Sequence, residues 1–385
     1  MKRRTGTYRV TNAGGEEVRA FIPHPLPPAQ PPLLFDKSLQ SLLAGASTAV
    51  AQLSVAGKMV PSADWFLYGF VRKEAVISSQ IEGTQATLRD VLTFEATQKS
   101  DRPEDVREIC NYLDALAYAR REIARPKGLP LSMRLLCEAH KRLMRGVRGA
   151  EKKPGQVRTS QNWIGGTRPG NARFVPPPAD EVPTALAAFD HWIHDQEKLP
   201  PLIRAGLAHV QFETIHPFLD GNGRIGRLLV ALLVEHWGLL DSPLLYLSLA
   251  LKRRREEYYA RLSAVRTDGD WEGWIVLFLE CVREAASDGV ETAGKLFALL
   301  TKDRQRVLLQ SGVTIPAIRL LDQLPSHPIV TLPRAMEILE TTKPTASKAI
   351  EALRKAKVLS ETTGKQRDRV YAYKSYLALL TGDTE

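Results

Sequence analysis

The chain has 385 residues, 44% apolar and 25% charged, a balance that excludes long disorder and fibrous repeats and is large enough for two or three folded domains. Its formal net charge of +10 fits contact with a polyanion, whether nucleic acid, nucleotide or acidic protein, without choosing among them. Three dispersed cysteines, Cys110, Cys137 and Cys281, suit neither a metal knuckle nor a disulfide scaffold, so a reducing, cytoplasmic setting is expected.

In chain order, MKRRTGTYRV has the basic flank of a signal peptide but no apolar run after it. The most apolar stretch, Leu228 to Leu240, is short and broken by Glu235 and His236, so no membrane contact is expected. Six prolines between Phe21 and Leu34 favour an extended polyproline arm. Apolar residues three and four apart then predict helices over Leu67 to Ile81, Val106 to Ile123, Ser132 to Arg145, Thr184 to Gln196, Ile203 to Thr214 and Ile225 to Trp237. The class is mainly α. Between Arg158 and Val175 the turn signals Gly165-Gly166 and Pro169-Gly170-Asn171 predict a small exposed β-hairpin, closed by Pro176 to Pro178.

A composition shift near Thr301 opens a C-terminal domain over 300–385. Met336 to Glu340 reads as helix, Thr341 to Pro344 as turn, Thr345 to Leu359 as a second helix, and Ser360 to Tyr373 as a hairpin about Gly364, which is the order of a winged helix-turn-helix. From Thr341 to Lys374 there are nine Lys or Arg and three Asp or Glu, so Lys348, Arg354 and Lys355 are candidate DNA contacts. A docking or dimerisation role for such a domain stays open.

The segment HPFLDGNGRIGR, His216 to Arg227, concentrates the chemistry. Gly221, Asn222 and Gly223 permit positive backbone dihedrals, so successive amides can form an anion-binding nest with a helix starting behind it. Arg224 and Arg227 lie three apart at the positive end of that helix, where cations are disfavoured unless an anion sits between them, and guanidinium forks match phosphate oxygens. Asp220 is a hard oxygen ligand suited to Mg2+ beside phosphates. His216 titrates near neutrality and can accept a proton from an attacking hydroxyl.

Every fixed position of HPFx(D/E)GNGRxxR is present, so the chain resembles the Fic family, over roughly 25–287. The resemblance implies a helical Fic fold with a small β-hairpin flap, and transfer of AMP from ATP to a Tyr, Thr or Ser hydroxyl of a target protein. It makes His216 the general base and Asp220 the Mg2+ ligand; Gly221, Asn222 and Gly223 line the anion hole, Arg224 and Arg227 hold the terminal phosphates, and Ile225 and Gly226 shape the phosphate loop. Residues 158–175 become a flap that pairs with the target. Upstream, Ser78-Ser79-Gln80-Ile81-Glu82-Gly83 is similar to the family's inhibitory motif (S/T)xxxE(G/N), which implies that Ser78, Glu82 and Gly83 belong to an N-terminal inhibitory helix whose Glu82 competes with ATP for Arg227. The implied division is an N-terminal region 1–125 with the proline arm and inhibitory helix, a Fic core 126–290 and the winged helix 300–385; a homodimer is also implied. Removal of AMP at the same site, and a DNA-binding regulator that only senses nucleotide, stay open as alternatives.

Two other motifs are set aside. Gly289 to Lys295 matches a P-loop up to its lysine, but Leu296 replaces the Mg2+-binding hydroxyl and the preceding segment reads as helix. His191 and His194 lack a third ligand at suitable spacing. Tyr258 and Tyr259 read equally well as a nucleotide border or as helix packing.

Overall fold

Gly14 and Gly15, at φ 58° and 84°, form the two-residue loop of an antiparallel hairpin whose strands β1 (Gly6–Ala13) and β2 (Glu16–Pro23) pair with Ala13 opposite Glu16. Both loop residues need positive φ, the primed turn that matches strand twist, and glycine adopts it without a Cβ clash. This hairpin was not expected from the sequence. It also takes Phe21 to Pro23 out of the proline arm, and the remainder is held in place: Arg3 donates to the carbonyls of Pro31 and Pro32 (2.7 and 2.8 Å) and grips Glu272 with both arms of its fork at 2.8 Å.

The computed structural model describes residues 3–59, 63–195 and 198–382, so Gln196, the expected end of one helix, lies outside them. After the hairpin come α1 (Lys37–Met59), α2 (Ala63–Ile81), α3 (Leu88–Thr97), α4 (Pro103–Ala124), α5 (Met133–Leu143), α6 (Val182–His194), α7 (Pro201–Ile215), α8 (Asn222–His236), α9 (Leu247–Arg253), α10 (Arg255–Asp268) and α11 (Trp271–Leu308). The C-terminal part continues with α12 (Ile315–Gln323), β3 (Ile329–Thr331), α13 (Leu332–Leu339), α14 (Lys343–Lys355), β4 (Ser360–Glu361), β5 (Val370–Ala372) and α15 (Lys374–Thr381). The protein is mainly helical with small antiparallel sheets. The long helix α11 runs unbroken through Thr301 and contains all of Gly289 to Lys295, so that P-loop-like string forms no loop. By length and composition alone, α1 is the helix among the described residues that is long and apolar enough to cross a membrane.

Contacts divide the chain into two units that each draw on distant segments: 1–51, 111–241 and 250–285 in the first, 52–110, 242–249 and 286–385 in the second. The core of the first is the pair α7 and α8. Every residue of α7 from Leu202 to Ile215 is buried, and Ile225, Leu228, Leu229 and Leu233 of α8 are inaccessible. Close approach requires Gly226, because a Cβ there would lie 2.4 Å from Glu213 Oε1 and 3.4 Å from His209 Cε1. His209 Nε2 in turn meets the Tyr258 hydroxyl at 2.8 Å, so Tyr258 is buried and packs against α7.

The expected flap hairpin over 158–175 is reduced to one bridge, with Ile164 and Phe174 exchanging backbone bonds of 2.8 and 3.1 Å. Between them Pro169–Asn171 forms a 3-10 turn, since proline lacks the N–H that a ladder would use. The β1–β2 hairpin braces this segment: Glu16 accepts from Arg168 (2.7 Å) and from the Gly170 amide (2.6 Å), Phe21 N–H donates to Val175 O, and Ala13, Val18, Ala20 and Val175 close a small apolar cluster.

In the second unit, α2 is followed by backbone bonds from Glu82 to Ser79 O and from Gly83 to Gln80 O, with Gly83 at φ 104°. Glu74 accepts from the amide and hydroxyl of Ser248, and Arg72 forks onto Glu95. The C-terminal sheet has the order β3-β5-β4, with α13 and α14 joined by the short turn after Glu340. The second basic helix therefore starts at Lys343 and stops at Lys355, shorter than the expected span to Leu359; Lys357, at φ 57°, lies beyond it.

Candidate active site

The turn between α7 and α8 carries the motif residues, and both of its ends depend on left-handed backbone. His216 closes α7 at φ 51°, ψ 63°, its amide donating to Phe212 O at 2.9 Å, and Gly221 opens α8 at φ 75°. A left-handed non-glycine residue costs backbone energy, so surrounding bonds must hold His216 there. They converge from one side chain. Arg158 is 1% exposed; its Nε donates to His216 O (2.9 Å), its Nη2 to Ile215 O (3.3 Å) and Pro177 O (2.6 Å), its Nη1 to Ser160 O (3.2 Å), and its own amide to Pro217 O (2.8 Å). Burial lowers its pKa to about 10, which leaves it cationic at neutral pH, beside the negative end of α7.

The far side of the turn is fixed by Asn222 and His140. The Asn222 amide brackets the Phe218 peptide, accepting from its N–H and donating to its carbonyl, both at 2.8 Å. Asn222 and Gly223 are already helical, so the expected three-residue nest reduces to left-handed Gly221 followed by the first turn of α8. Gly221 in the N-cap position offers α8 no side-chain cap of its own. Ile225 is wholly buried and Gly226 faces α7, so both shape the site by packing.

His140, 1% exposed, stacks on Phe218 with ring centroids 3.9 Å apart. Its Nδ1 accepts from the Gly155 amide at 2.8 Å, so Nε2 carries the proton and donates to Asp220 O at 3.0 Å. This arrangement positions the Asp220 backbone while its carboxylate stays accessible, with Oδ1 accepting from the Gly221 amide at 2.6 Å. Gly149 gives that carboxylate room, because a Cβ there would come within 2.6 Å of Oδ2.

Arg224 and Arg227 are only 3% and 2% exposed. Arg224 reaches toward Asp220 Oδ1 (3.9 Å) and Met144 Sδ (3.6 Å). Two guanidinium groups are thus buried where the helix dipole is positive, an arrangement whose cost an anion offsets. Among the described residues no group of three or more His, Cys, Asp or Glu is placed to hold a metal ion. A lone exposed carboxylate fits a magnesium ion that arrives with phosphate oxygens and water as its other ligands.

Not all expected site residues fall in one unit. Ser78, fully buried, and Glu82 and Gly83, exposed, belong to the second unit, as do Lys348, Arg354 and Lys355. Lys348 and Lys355 are exposed, whereas Arg354 is paired with Glu351 at 2.8 Å.

Residues 40–121 match the Fic/DOC family N-terminal region and residues 130–234 match the Fic/DOC family domain. The chain is a Fic-family protein. The protein adenylyltransferase Fic of Drosophila grimshawi is 28% identical over 209 residues, which cover 53% of this chain and 40% of that protein. A probable protein adenylyltransferase of Aquifex aeolicus is 26% identical over 285 residues, covering 64% and 82%. A crystal structure of a Fic family protein from Desulfovibrio desulfuricans shares the fold at a TM-score of 0.57 and 21% identity, over 89% of this chain and 98% of that one. This Fic protein spans about two fifths of the length of the Drosophila relative.

The tautomer of His140 makes the turn sensitive to acid. Burial, helped by nearby Arg224, lowers its pKa from 6.5 to about 4. The folded form keeps the ring neutral while the unfolded chain takes up a proton, so the stabilisation is complete above pH 6.5 and drains as pH falls toward 4, by roughly 3 kcal/mol in all. Buried His209, lowered to about 4 mainly by desolvation, adds to the same slope. The thermal midpoint is expected to fall between pH 7 and pH 5 in the parent protein and less steeply in His140→Gln; equal slopes would remove His140 from this account.

Proposed function

We propose that this protein is an adenylyltransferase that moves AMP from magnesium-bound ATP to a Tyr, Thr or Ser hydroxyl of a target protein. The observation that carries the reading is the pair of buried arginines, Arg224 and Arg227, in the first turns of α8, on the far side of the turn that starts at His216. Polyphosphate is the anion that suits two forks and a row of amides together.

In this reading Arg224, Arg227 and the amides from Asn222 to Arg224 hold the β- and γ-phosphates. Asp220 would hold the magnesium ion that comes with ATP, whose charge stabilises the phosphates when bound. His216 takes the proton from the target hydroxyl as its oxygen bonds to the α-phosphorus and the bond to pyrophosphate breaks. The braced segment around Ile164 and Phe174 supports recognition of the target backbone. Glu82, at the end of α2, competes with the terminal phosphate for Arg227 and restrains transfer. The relatives named protein adenylyltransferase support the same assignment.

A second reading adds DNA contact by a C-terminal winged helix. Lys343, Lys348, Lys355 and Lys357 on and after α14, and Lys365, Arg367 and Arg369 between β4 and β5, are all exposed, the pattern a phosphate backbone would neutralise.

Intact mass after incubation with ATP and magnesium tests the first reading. Glu82→Gly is expected to gain an AMP-sized increment, the parent less, and His216→Ala none; equal labelling of all three proteins would contradict it, and no gain in any would favour AMP removal or nucleotide sensing. For the second, duplex DNA binding should weaken steeply with added salt and drop in Lys348→Glu and Lys355→Glu; binding that ignores both salt and these substitutions would exclude it.

A further inference from the structure

From the geometry around the motif we infer that Arg158 is a positioning residue for His216, acting through the backbone and not through contact with substrate. The inference rests on the proposed role of His216 and adds to it a residue outside the motif.

Four side-chain bonds leave the guanidinium, and all four end on backbone carbonyls, those of Ser160, Pro177, Ile215 and His216. The Arg158 amide adds a fifth on Pro217. Three consecutive carbonyls of the chain that carries the imidazole, 215 to 217, are therefore fixed by one residue. Among the described residues Arg158 forms no ion pair with a carboxylate, so its charge is answered by carbonyl dipoles at the end of α7. An arginine buried only to stabilise the core would serve as well with a carboxylate partner; here Nε and Nη2 reach the end of α7 and the start of the turn, and the bonds to Ser160 O and Pro177 O hold the fork in place. The turn needs such a restraint because His216 holds φ 51° without being glycine. The phosphate-facing groups belong to α8 and are held separately, by Asn222 on Phe218 and by His140 on Asp220. Loss of the Arg158 fork should therefore move the base and leave nucleotide binding in place.

The test compares Arg158→Lys, which keeps a cation but loses the planar fork, with a destabilised control, Leu186→Ala, a buried apolar position on α6. Both are made in whichever background, parent or Glu82→Gly, transfers AMP, and are assayed below their thermal midpoints. For Arg158→Lys, kcat is expected to fall about 100-fold while KM for ATP stays within about twofold, because a misplaced base slows chemistry without weakening ground-state binding. Leu186→Ala should keep its kcat. A second readout needs no transfer: the rate at which diethyl pyrocarbonate labels His216, followed by peptide mass, should change several-fold in Arg158→Lys and not in the control. If Arg158→Lys does not fold, Arg158→Gln is read in the same way. Unchanged kcat and unchanged labelling overturn the inference. Absence of AMP transfer in every background overturns the adenylyltransferase reading instead, and the labelling rate alone then decides whether Arg158 sets the His216 environment.

Discussion

Two guanidinium groups buried at the positive end of a helix, those of Arg224 and Arg227, are the constraint around which the first unit is built. Arg224 and Arg227 are almost inaccessible, Gly221 offers α8 no side-chain cap, and the carboxylate on the turn, Asp220, stays 3.9 Å from Arg224 with its side chain partly open to solvent. The helices α7 and α8 are close-packed beside them, and Gly226 lets the two approach, since a Cβ there would lie 2.4 Å from Glu213 Oε1.

The turn that joins these helices has its two halves supported from different places. Arg158 fixes the side that carries His216, and His140, a neutral ring stacked on Phe218, fixes the side that carries Asp220. Both supports act on the backbone of His216 and Asp220, which is how a preorganised site of the proposed kind would be built. The β1–β2 hairpin does the same for the flap segment by way of Glu16 and the cluster around Val175.

Much of this was legible in the sequence where the chemistry is contiguous. The twelve residues from His216 to Arg227 form the turn and the helix start that their glycines predict, and the helical periods of α2, α4, α5, α6, α7 and α8 appear where expected. What was not legible depends on tertiary contact. Arg158 reads as the first residue of a hairpin and His140 as one polar residue in an amphipathic helix; only folding shows that both donate to the turn. Asn222 looks like a nest residue, yet its side chain is committed to Phe218. The β1–β2 hairpin did leave a signal, Gly14-Gly15 between two alternating runs, which is masked when the N-terminus is weighed only as a leader sequence. The expected flap strands fail for a local reason, since Pro169 and the 3-10 turn interrupt the ladder. The composition change at Thr301 marks no break, because α11 continues helical through it.

The account depends on where the nucleotide is cut, and label partition reads that directly. Protein and a cell lysate are incubated with ATP carrying radioactive phosphorus at either the α or the γ position, and the protein fraction is counted after denaturation. Transfer of AMP predicts that the α label becomes covalently attached to protein and the γ label does not. Attachment of the γ label would mean phosphoryl transfer and would contradict the assignment of the terminal phosphates to Arg224 and Arg227 as a leaving group.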